Sequence, residues 1–443
     1  MTTSTSAEVL KNQRARALHL ILLAALTINA VLLFVALPAL GKFLSPRYNV
    51  GFMDLYDLIA KNLVQGNGYR VEADMGETMM REPGYPLFLA LVFKIGGYHI
   101  EAARLANLLL VFGIASMMMR LGRRITGDQV TPLIATLLFL FYPGTLISEA
   151  RGGIEIAFVS AVLLSLLALD RAVQKGGLPG YLVAGLLLGL TVLVRSVVLA
   201  FPLFLLVYLL FTANGMGERV KVVIRTAVLV LGMVAVMLPW VVRNYMLVHE
   251  FVPTATVAGV SAQEGQCTCE HMSFHSDFYA LGREAGRERN EFTDRLGIRY
   301  KNTYYQTFYD ARDELAFDRS LLQSVAMEYR KEPALLARCA GMNLFFNFWF
   351  LGRTWQVTWL NMLVQVPLLA LSLGGILVLC KRALLKKMGI MLTFVLYVPL
   401  VQAPIIAHAR HSMAVVPFLM ILASVSLVSI WHTSRRKLLG VAG

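Results

Sequence analysis

Long apolar runs recur along almost the whole chain, and several of them contain no charged residue. About 20 apolar residues in a helix cross the hydrocarbon core of a bilayer, and an isolated segment in lipid satisfies its backbone hydrogen bonds as a helix. The pattern therefore predicts an all-α polytopic membrane protein with about ten transmembrane helices. The predicted spans are residues 18–40, 100–119, 130–148, 152–170, 179–195, 197–213, 222–242, 357–380, 388–406 and 412–432.

Two longer polar stretches, residues 41–99 and 243–356, interrupt the apolar runs. The second holds 14 of the chain's 27 acidic residues, so we expect a hydrated domain. The spacing of its apolar residues predicts that this domain is mostly helical. The chain then has three parts: an N-terminal transmembrane module (1–242) that includes the first outer loop (41–99), an extracytoplasmic loop domain (243–356) and C-terminal transmembrane helices (357–443).

Residues 53–69 predict a short amphipathic helix in the first outer loop. The apolar residues there recur every three to four positions, as on one side of a helix, and Asp54 and Asp57 lie on the opposite, polar side. Gly66 and Gly68 favour a left-handed ending. A helix this short is expected to lie flat on the outer interface, with its two acids facing a watery cavity. The alternative is that the acids are only the solvated face of an interfacial helix.

Composition agrees with a membrane protein and excludes an ordinary soluble one. The chain is 57% hydrophobic and 15% charged, with a mean hydropathy of +0.63. Its net charge of +14 is concentrated in short loops on the side of the N-terminus, which predicts cytoplasmic termini and an integral cell-membrane location with both long loops outside. The sequence contains no nucleic-acid motif, and no nucleic-acid partner is expected.

Several arginines lie at the outer ends of predicted spans. The usual enrichment of lysine and arginine in cytoplasmic loops does not explain arginines on the outer side. A charged side chain at a membrane boundary is costly and usually faces a polar pathway or a ligand, and guanidinium groups suit phosphate oxygens. The alternative is snorkelling, or structural pairing with acids such as Glu149 and Glu155. The arginines are Arg81, Arg151, Arg195, Arg243 and Arg410.

Six stretches resemble, in order, segments of the GT-C glycosyltransferases, particularly the PMT/ArnT-like and RgtA-like polytopic enzymes. The resemblance implies transfer of a sugar from a polyprenyl-phosphate-linked donor to a glycan, lipid or protein acceptor at the extracytoplasmic face, for example the periplasmic side of a bacterial inner membrane. The stretches are DLYDLIAKNLVQGNGY (54–69), REPGYPLFLALVF (81–93), EIAFVSAVLLSLLALDRA (155–172), GLLLGLTVLVRSVVLAFPLFLL (185–206), LPWVVRNYMLVHEFVPTAT (238–256) and HARHSMAVVPFLMILAS (408–424).

The resemblance also implies roles for individual residues. Asp54 matches the base that deprotonates the acceptor hydroxyl, although Asp57 is a second candidate. A sugar on a polyprenyl phosphate leaves as a phosphate anion, which needs cations rather than a general acid. We therefore expect Arg81, Arg195, Arg243 and Arg410 to bind the donor phosphate. Supporting residues are predicted to be Tyr56, Glu82, Tyr85, Glu149, Glu155 and His411.

Two other functions use the same side chains. A transporter or flippase could employ the acids and arginines as a translocation path, but such sites usually lie near the membrane midplane on broken helices. The depth of the charged site distinguishes that function from the enzyme. The third alternative is a non-catalytic subunit of a cell-envelope complex.

The cysteines and nearby histidines leave two alternatives open. Cys267 and Cys339 form a candidate disulfide in the outer domain, and Cys380 is expected to be a buried thiol. Zinc is the other alternative, although the ligand spacing matches no strong zinc signature. The candidate ligands are Cys267, Cys269, His271 and His275. No cofactor is assigned, and a divalent metal stays an open alternative.

Overall fold

We describe the protein from a computed structural model, which covers residues 2–36, 39, 55–271, 278–302, 306–348, 355–406, 408 and 410–438. The predicted all-α class is confirmed over these residues. The helices are α1 (Thr2–Val31), α2 (Tyr56–Val64), α3 (Gly84–Gly96), α4 (Ile100–Thr126), α5 (Val130–Leu140), α6 (Pro143–Ala150), α7 (Ile154–Lys175), α8 (Leu178–Val194), α9 (Phe201–Thr212), α10 (Met216–Val248), α11 (Ala258–His271), α12 (Phe278–Arg295), α13 (Ala311–Lys331), α14 (Pro333–Phe346), α15 (Trp355–Lys381), α16 (Gly389–Gln402) and α17 (Val416–Leu438). One antiparallel hairpin pairs β1 (Tyr300–Asn302) with β2 (Gln306–Phe308).

Seven helices of the described chain are long and apolar enough to cross a membrane. An eighth span results if α5 and α6, which meet at a 51° bend, are counted as one broken helix. The predicted spans 179–195 and 197–213 correspond to the shorter helices α8, with 17 residues, and α9, with 12. A total of about ten spans therefore stays a prediction.

The helical bundle is held together by close approaches at small residues. A Cβ added at Gly185 of α8 would lie 2.1 Å from the Leu229 carbonyl oxygen of α10. A Cβ at Gly375 of α15 would lie 2.0 Å from the Leu422 carbonyl oxygen of α17. Larger side chains at these positions would force the helices apart, which is the usual reason for small residues between helices in membranes.

The first outer loop and the outer domain contact each other on one side of the bundle. The Thr256 backbone N–H donates to the Met79 carbonyl oxygen at 2.9 Å. The buried Glu314 carboxylate of α13 accepts from the Met79 N–H at 2.9 Å and from the Thr78 hydroxyl at 2.5 Å. We call this side of the molecule the loop face and the opposite ends of the helices the far face.

The outer domain is mostly helical, as the sequence predicts. A disulfide joins Cys269 of α11 to Cys339 of α14, so the predicted pairing of Cys267 with Cys339 is wrong. Cys267, two residues away on the same helix, is buried and takes no part in this disulfide. The prediction for Cys380 is also wrong: its side chain is exposed, because it lies on the outward side of the last turn of α15.

Candidate active site at the loop face

Helix α2 carries the first group of candidate residues. Leu55 precedes it with a positive φ of 67°, a conformation that non-glycine residues seldom adopt. The predicted left-handed ending is confirmed, since Gly66 and Gly68 have φ of 79° and 85°. Asp54, the candidate base, lies outside the described residues.

Asp57 does not face a watery cavity, which corrects the sequence-based expectation. Its side chain is 8% exposed, and Oδ2 accepts a hydrogen bond of 2.6 Å from the Tyr98 hydroxyl. Burial raises the pKa of the Asp57 carboxyl, and the bond from Tyr98 partly opposes that shift. Lys61, one turn further along α2, lies 5.1 Å from the centre of the Tyr98 ring.

Tyr56 and Tyr85 form an aromatic junction between the first loop and the bundle. Their ring centroids are 5.4 Å apart in an edge-to-face arrangement, and the buried Arg81 guanidinium lies 5.4 Å from the Tyr56 ring. The Tyr85 hydroxyl donates to the Gly152 carbonyl oxygen in the turn between α6 and α7. The loop is therefore held against the start of α7, where Glu155 lies.

Glu82 connects this loop to the end of α8. Its buried carboxylate accepts a 3.0 Å hydrogen bond from the Ser196 backbone N–H, at the start of a short 3-10 helix. The Tyr69 hydroxyl donates to the Glu82 and Arg81 carbonyl oxygens, at 3.2 and 3.0 Å. Glu82 thus holds the backbone at Ser196, directly after Arg195. This contact fits a residue that supports the site by fixing the position of Arg195.

Arg195, Glu155 and His411 come together from three separate parts of the chain. Arg195 and Glu155 form an ion pair of 3.8 Å between largely buried side chains. His411 begins a 3-10 helix that packs against α7. Burial lowers the pKa of His411 well below its usual value, and the positive charges of Arg195, Arg410 and His408 lower it further. The imidazole is therefore neutral beside two guanidinium groups at physiological pH.

Arg243 lies in a different setting, and its donors are engaged within the protein. Nη1 donates to the Thr78 carbonyl oxygen at 2.8 Å, and Nη2 lies 3.4 Å from the Glu77 carboxylate. The guanidinium also lies 4.7 Å from the Trp240 ring and 5.3 Å from the Tyr69 ring. These contacts join the end of α10 to the first loop.

Glu149 is separated from the other candidate acids by the turn after α6. Its side chain is fully buried, and Asn29 of α1 is a polar neighbour. Glu155 is placed with Arg195, whereas no ion pair joins Glu149 to an arginine in the described part of the chain. Arg151, between them in sequence, is half-buried at the end of α6.

The structure adds residues that the sequence did not single out. Tyr98 holds Asp57, Glu77 pairs with Arg243, and Glu314 joins the first loop to the outer domain. Arg104 of α4 is buried and donates from Nε to the Ala150 carbonyl oxygen at 2.8 Å. Of these residues, only Arg104 carried a sequence signal, because it is a charged residue within a predicted span.

The zinc alternative loses a ligand in the structure. Cys269 is bonded to Cys339 and offers no thiolate, whereas the His271 side chain and His275 lie outside the described residues. Within the described ranges, no group of three or more histidine, cysteine, aspartate or glutamate side chains is placed to hold a metal ion.

Comparison with known proteins gives matches of two kinds. Residues 81–240, which are 160 of the 443 residues and so less than half of the chain, match the family model of the dolichyl-phosphate-mannose-protein mannosyltransferases. No curated protein matches the chain.

Solved structures similar to the chain include two of an archaeal oligosaccharyltransferase from Archaeoglobus fulgidus. One, tethered to an acceptor peptide, has a TM-score of 0.53 at 13% identity, covering 93% of this chain and 50% of that one. The other, AglB in complex with an inhibitory peptide and a dolichol-phosphate, has a TM-score of 0.50 at 14% identity, covering 95% and 52%. The chain thus spans about half the length of these neighbours.

ArnT from Cupriavidus metallidurans, bound to undecaprenyl phosphate, is also similar. Its TM-score is 0.42 at 14% identity, and the match covers 92% of this chain and 77% of that one.

Proposed function

We propose that this chain, which has the fold of the GT-C membrane glycosyltransferases, transfers a sugar from a polyprenyl-phosphate-linked donor to an acceptor at the loop face. Two comparisons support this donor class. The description of the matching family names dolichyl-phosphate mannose, a sugar on a polyprenyl-type phosphate. A neighbour of similar fold is in complex with a dolichol-phosphate.

The observation that carries the proposal is the meeting of Arg195, paired with Glu155, with the 3-10 helix that follows Arg410 and begins at His411. Arg195 and Arg410 both act electrostatically on His411, so the site has excess positive charge partly balanced by Glu155. Cleavage of the bond between the sugar and its phosphate places negative charge on the departing phosphate, which fixed cations stabilise. We assign Arg195 and Arg410 to that phosphate, and the neutral His411 to hydrogen bonding rather than to charge.

Asp54 is our proposed base. It would accept the proton of the acceptor hydroxyl as that oxygen attacks the anomeric carbon of the donor sugar. The surroundings of Asp57 favour this choice, because its carboxyl is buried and already bonded to Tyr98. We assign Asp57 to holding α2 in place.

Arg81 and Arg243 have contacts that fit a positioning role. The Arg243 guanidinium is bonded to the backbone of Thr78, and Arg81 lies against Tyr56. Both residues keep the first loop next to the end of the bundle. We therefore propose that they support the phosphate site through the loop.

The position of the charged residues favours an enzyme over a transporter. Arg195 follows the last residue of α8, and Arg410 lies in the connection between α16 and α17. Asp57 lies in the first loop. These groups are at helix ends on one face, whereas transporter sites usually lie on interrupted helices near the midplane.

The distribution of basic residues supports an extracytoplasmic loop face, with both termini cytoplasmic. The acceptor is a hydroxyl-bearing glycan or lipid, or a protein. The acceptor peptide on the archaeal neighbour illustrates the third class.

Replacement of Asp54 tests the proposal. The purified full-length protein, reconstituted in liposomes with polyprenyl-phosphate sugars and candidate acceptors, should transfer sugar, and Asp54→Asn should lower the rate at least about 100-fold. Asp74→Asn, at an exposed position in the same loop, should retain the wild-type rate. Wild-type activity in Asp54→Asn would remove that residue from the base role.

A further inference from the structure

A groove opens between α1 and α4 at the far face, away from the candidate active site. Its volume is ≈ 250 Å³. Apolar side chains of both helices line its inner part, and basic side chains lie at its outer end. The apolar lining includes Leu18, Leu22 and Leu26 of α1 and Phe112 and Met119 of α4.

Two arginines give the groove its charge. Arg120 and Arg123 line it, and both side chains are exposed. Neither arginine forms an ion pair with any residue in the described part of the chain, whereas the adjacent Arg124 is paired with Asp170 of α7. No carboxylate is among the lining residues. Among the residues that line it, the outer end of the groove is therefore cationic without a counter-charge.

The order of these side chains matches the shape of a membrane lipid. Leu18 lines the groove together with Arg123, whereas Leu33, just after α1, packs with Leu108. The two helices therefore run antiparallel, and Phe112 lies deeper in the bilayer than Arg123. Their separation along α4 amounts to about 16 Å at the rise of an α-helix. A phosphate at the arginines would leave an acyl chain against the apolar lining.

The groove is distant from the residues proposed to act in sugar transfer. Arg104, near the loop-face end of α4, and Arg120 are separated by 16 residues, or about 24 Å along the helix. A ligand in the groove would thus contact neither Arg195 nor the first loop. The inference that follows does not depend on the proposed function.

We propose that the groove between α1 and α4 binds one anionic phospholipid of the bilayer. Its phosphate contacts the guanidinium groups of Arg120 and Arg123, which are suited to phosphate oxygens. One acyl chain lies along Leu22, Leu26 and Phe112. Basic pockets between transmembrane helices recognise anionic head groups in this way, and a lipid there would fill the space between α1 and the bundle.

Lipid retention by the full-length protein tests the proposal. Protein stripped of lipid in detergent is titrated with phosphatidylglycerol or phosphatidylcholine, and bound lipids are counted by native mass spectrometry. One phosphatidylglycerol should bind with a preference of at least about tenfold over phosphatidylcholine. Replacing both arginines (Arg120→Gln with Arg123→Gln) should weaken its binding about 25-fold, or about fivefold for each arginine.

A matched control separates this site from general surface charge. Arg435 and Arg436, at the end of α17, are also exposed, and replacing both with glutamine should leave the tightly bound phosphatidylglycerol in place. Ser116→Trp fills the groove while keeping both arginines, since Ser116 lines it, and should also lower retention.

Any of four results would overturn the proposal. The first three are equal binding of the two phospholipids, unchanged retention in a folded protein that lacks both arginines, and unchanged retention in Ser116→Trp. Displacement of phosphatidylglycerol by a much lower concentration of undecaprenyl phosphate would also overturn it, because the groove would then belong to a polyprenyl lipid.

Discussion

Asp57 and His411 show how their surroundings set the chemistry of single residues. Asp57 is a buried carboxyl that accepts a hydrogen bond from Tyr98, so its lone pairs are directed into the protein. The half-buried His411 lies near two arginines, which disfavour a third positive charge at the same place. Asp57 therefore stabilises the structure of the first loop, whereas His411 adds no further positive charge to the site.

The neutral state of His411 predicts a specific dependence of stability on pH. The unfolded chain binds a proton at a histidine near pH 6.5, but the folded protein binds it only at a lower pH because its pKa is lowered. The unfolded state then carries more protons below about pH 6.5, so stability falls as the pH is lowered, by up to about 1.4 kcal/mol per pH unit from this group.

Thermal unfolding between pH 7 and pH 5 measures this effect. The fall in Tm should be smaller in His411→Asn than in the wild type. His249→Asn, at an exposed position after α10, serves as the control. Identical pH profiles for the wild type and His411→Asn would contradict the prediction.

Helix α13 and the first outer loop depend on each other through Glu314. This buried carboxylate accepts hydrogen bonds from Thr78, Met79 and Thr256. In Glu314→Ala the Met79 N–H would be left without its partner, so we expect a loss of about 3 kcal/mol in the free energy of unfolding.

Hydrogen exchange locates the effect of Glu314→Ala. Amide exchange of residues 76–82 should become faster, because the loop loses its bond to α13. Glu332→Ala, at an exposed position at the end of the same helix, should leave that exchange unchanged. Unaltered protection of residues 76–82 in Glu314→Ala would show that the loop is held by other contacts.

The disulfide between α11 and α14 is a second link inside the outer domain. It joins cysteines 70 residues apart, and loop-closure entropy predicts that Cys339→Ser lowers the free energy of unfolding by roughly 4 kcal/mol. Cys267→Ser removes a thiol outside this bond and should leave the linkage intact. Peptide mapping without reduction should recover Cys269 linked to Cys339, and a Cys267–Cys339 peptide would contradict the structure.

Across the whole molecule, local sequence patterns predicted the helices well but did not predict the contacts between them. The spans predicted at 100–119 and 152–170 correspond to α4 and α7, which continue beyond the apolar core into the interface. Apolar length requires such helices in a bilayer. The ending of α2 at Gly66 and Gly68 was predictable for the same kind of local reason.

The contacts that assemble the site were beyond sequence patterns, because they join distant segments. Thr78 and Glu314 are 236 residues apart, and Asp57 and Tyr98 are 41 apart. The periodicity of a helix does not say which helix it meets. The cysteine pairing failed for a related reason, since Cys267 and Cys269 lie on one helix whose orientation toward α14 the sequence does not give.

The Arg195→Gln variant shows how far a cation at the loop face stabilises a departing lipid phosphate. We predict that kcat/KM for a polyprenyl-phosphate sugar falls by at least about 100-fold, whereas Arg219→Gln, at an exposed position on the far face, retains the wild-type value. A folded Arg195→Gln protein with kcat/KM close to that of the wild type would contradict the account.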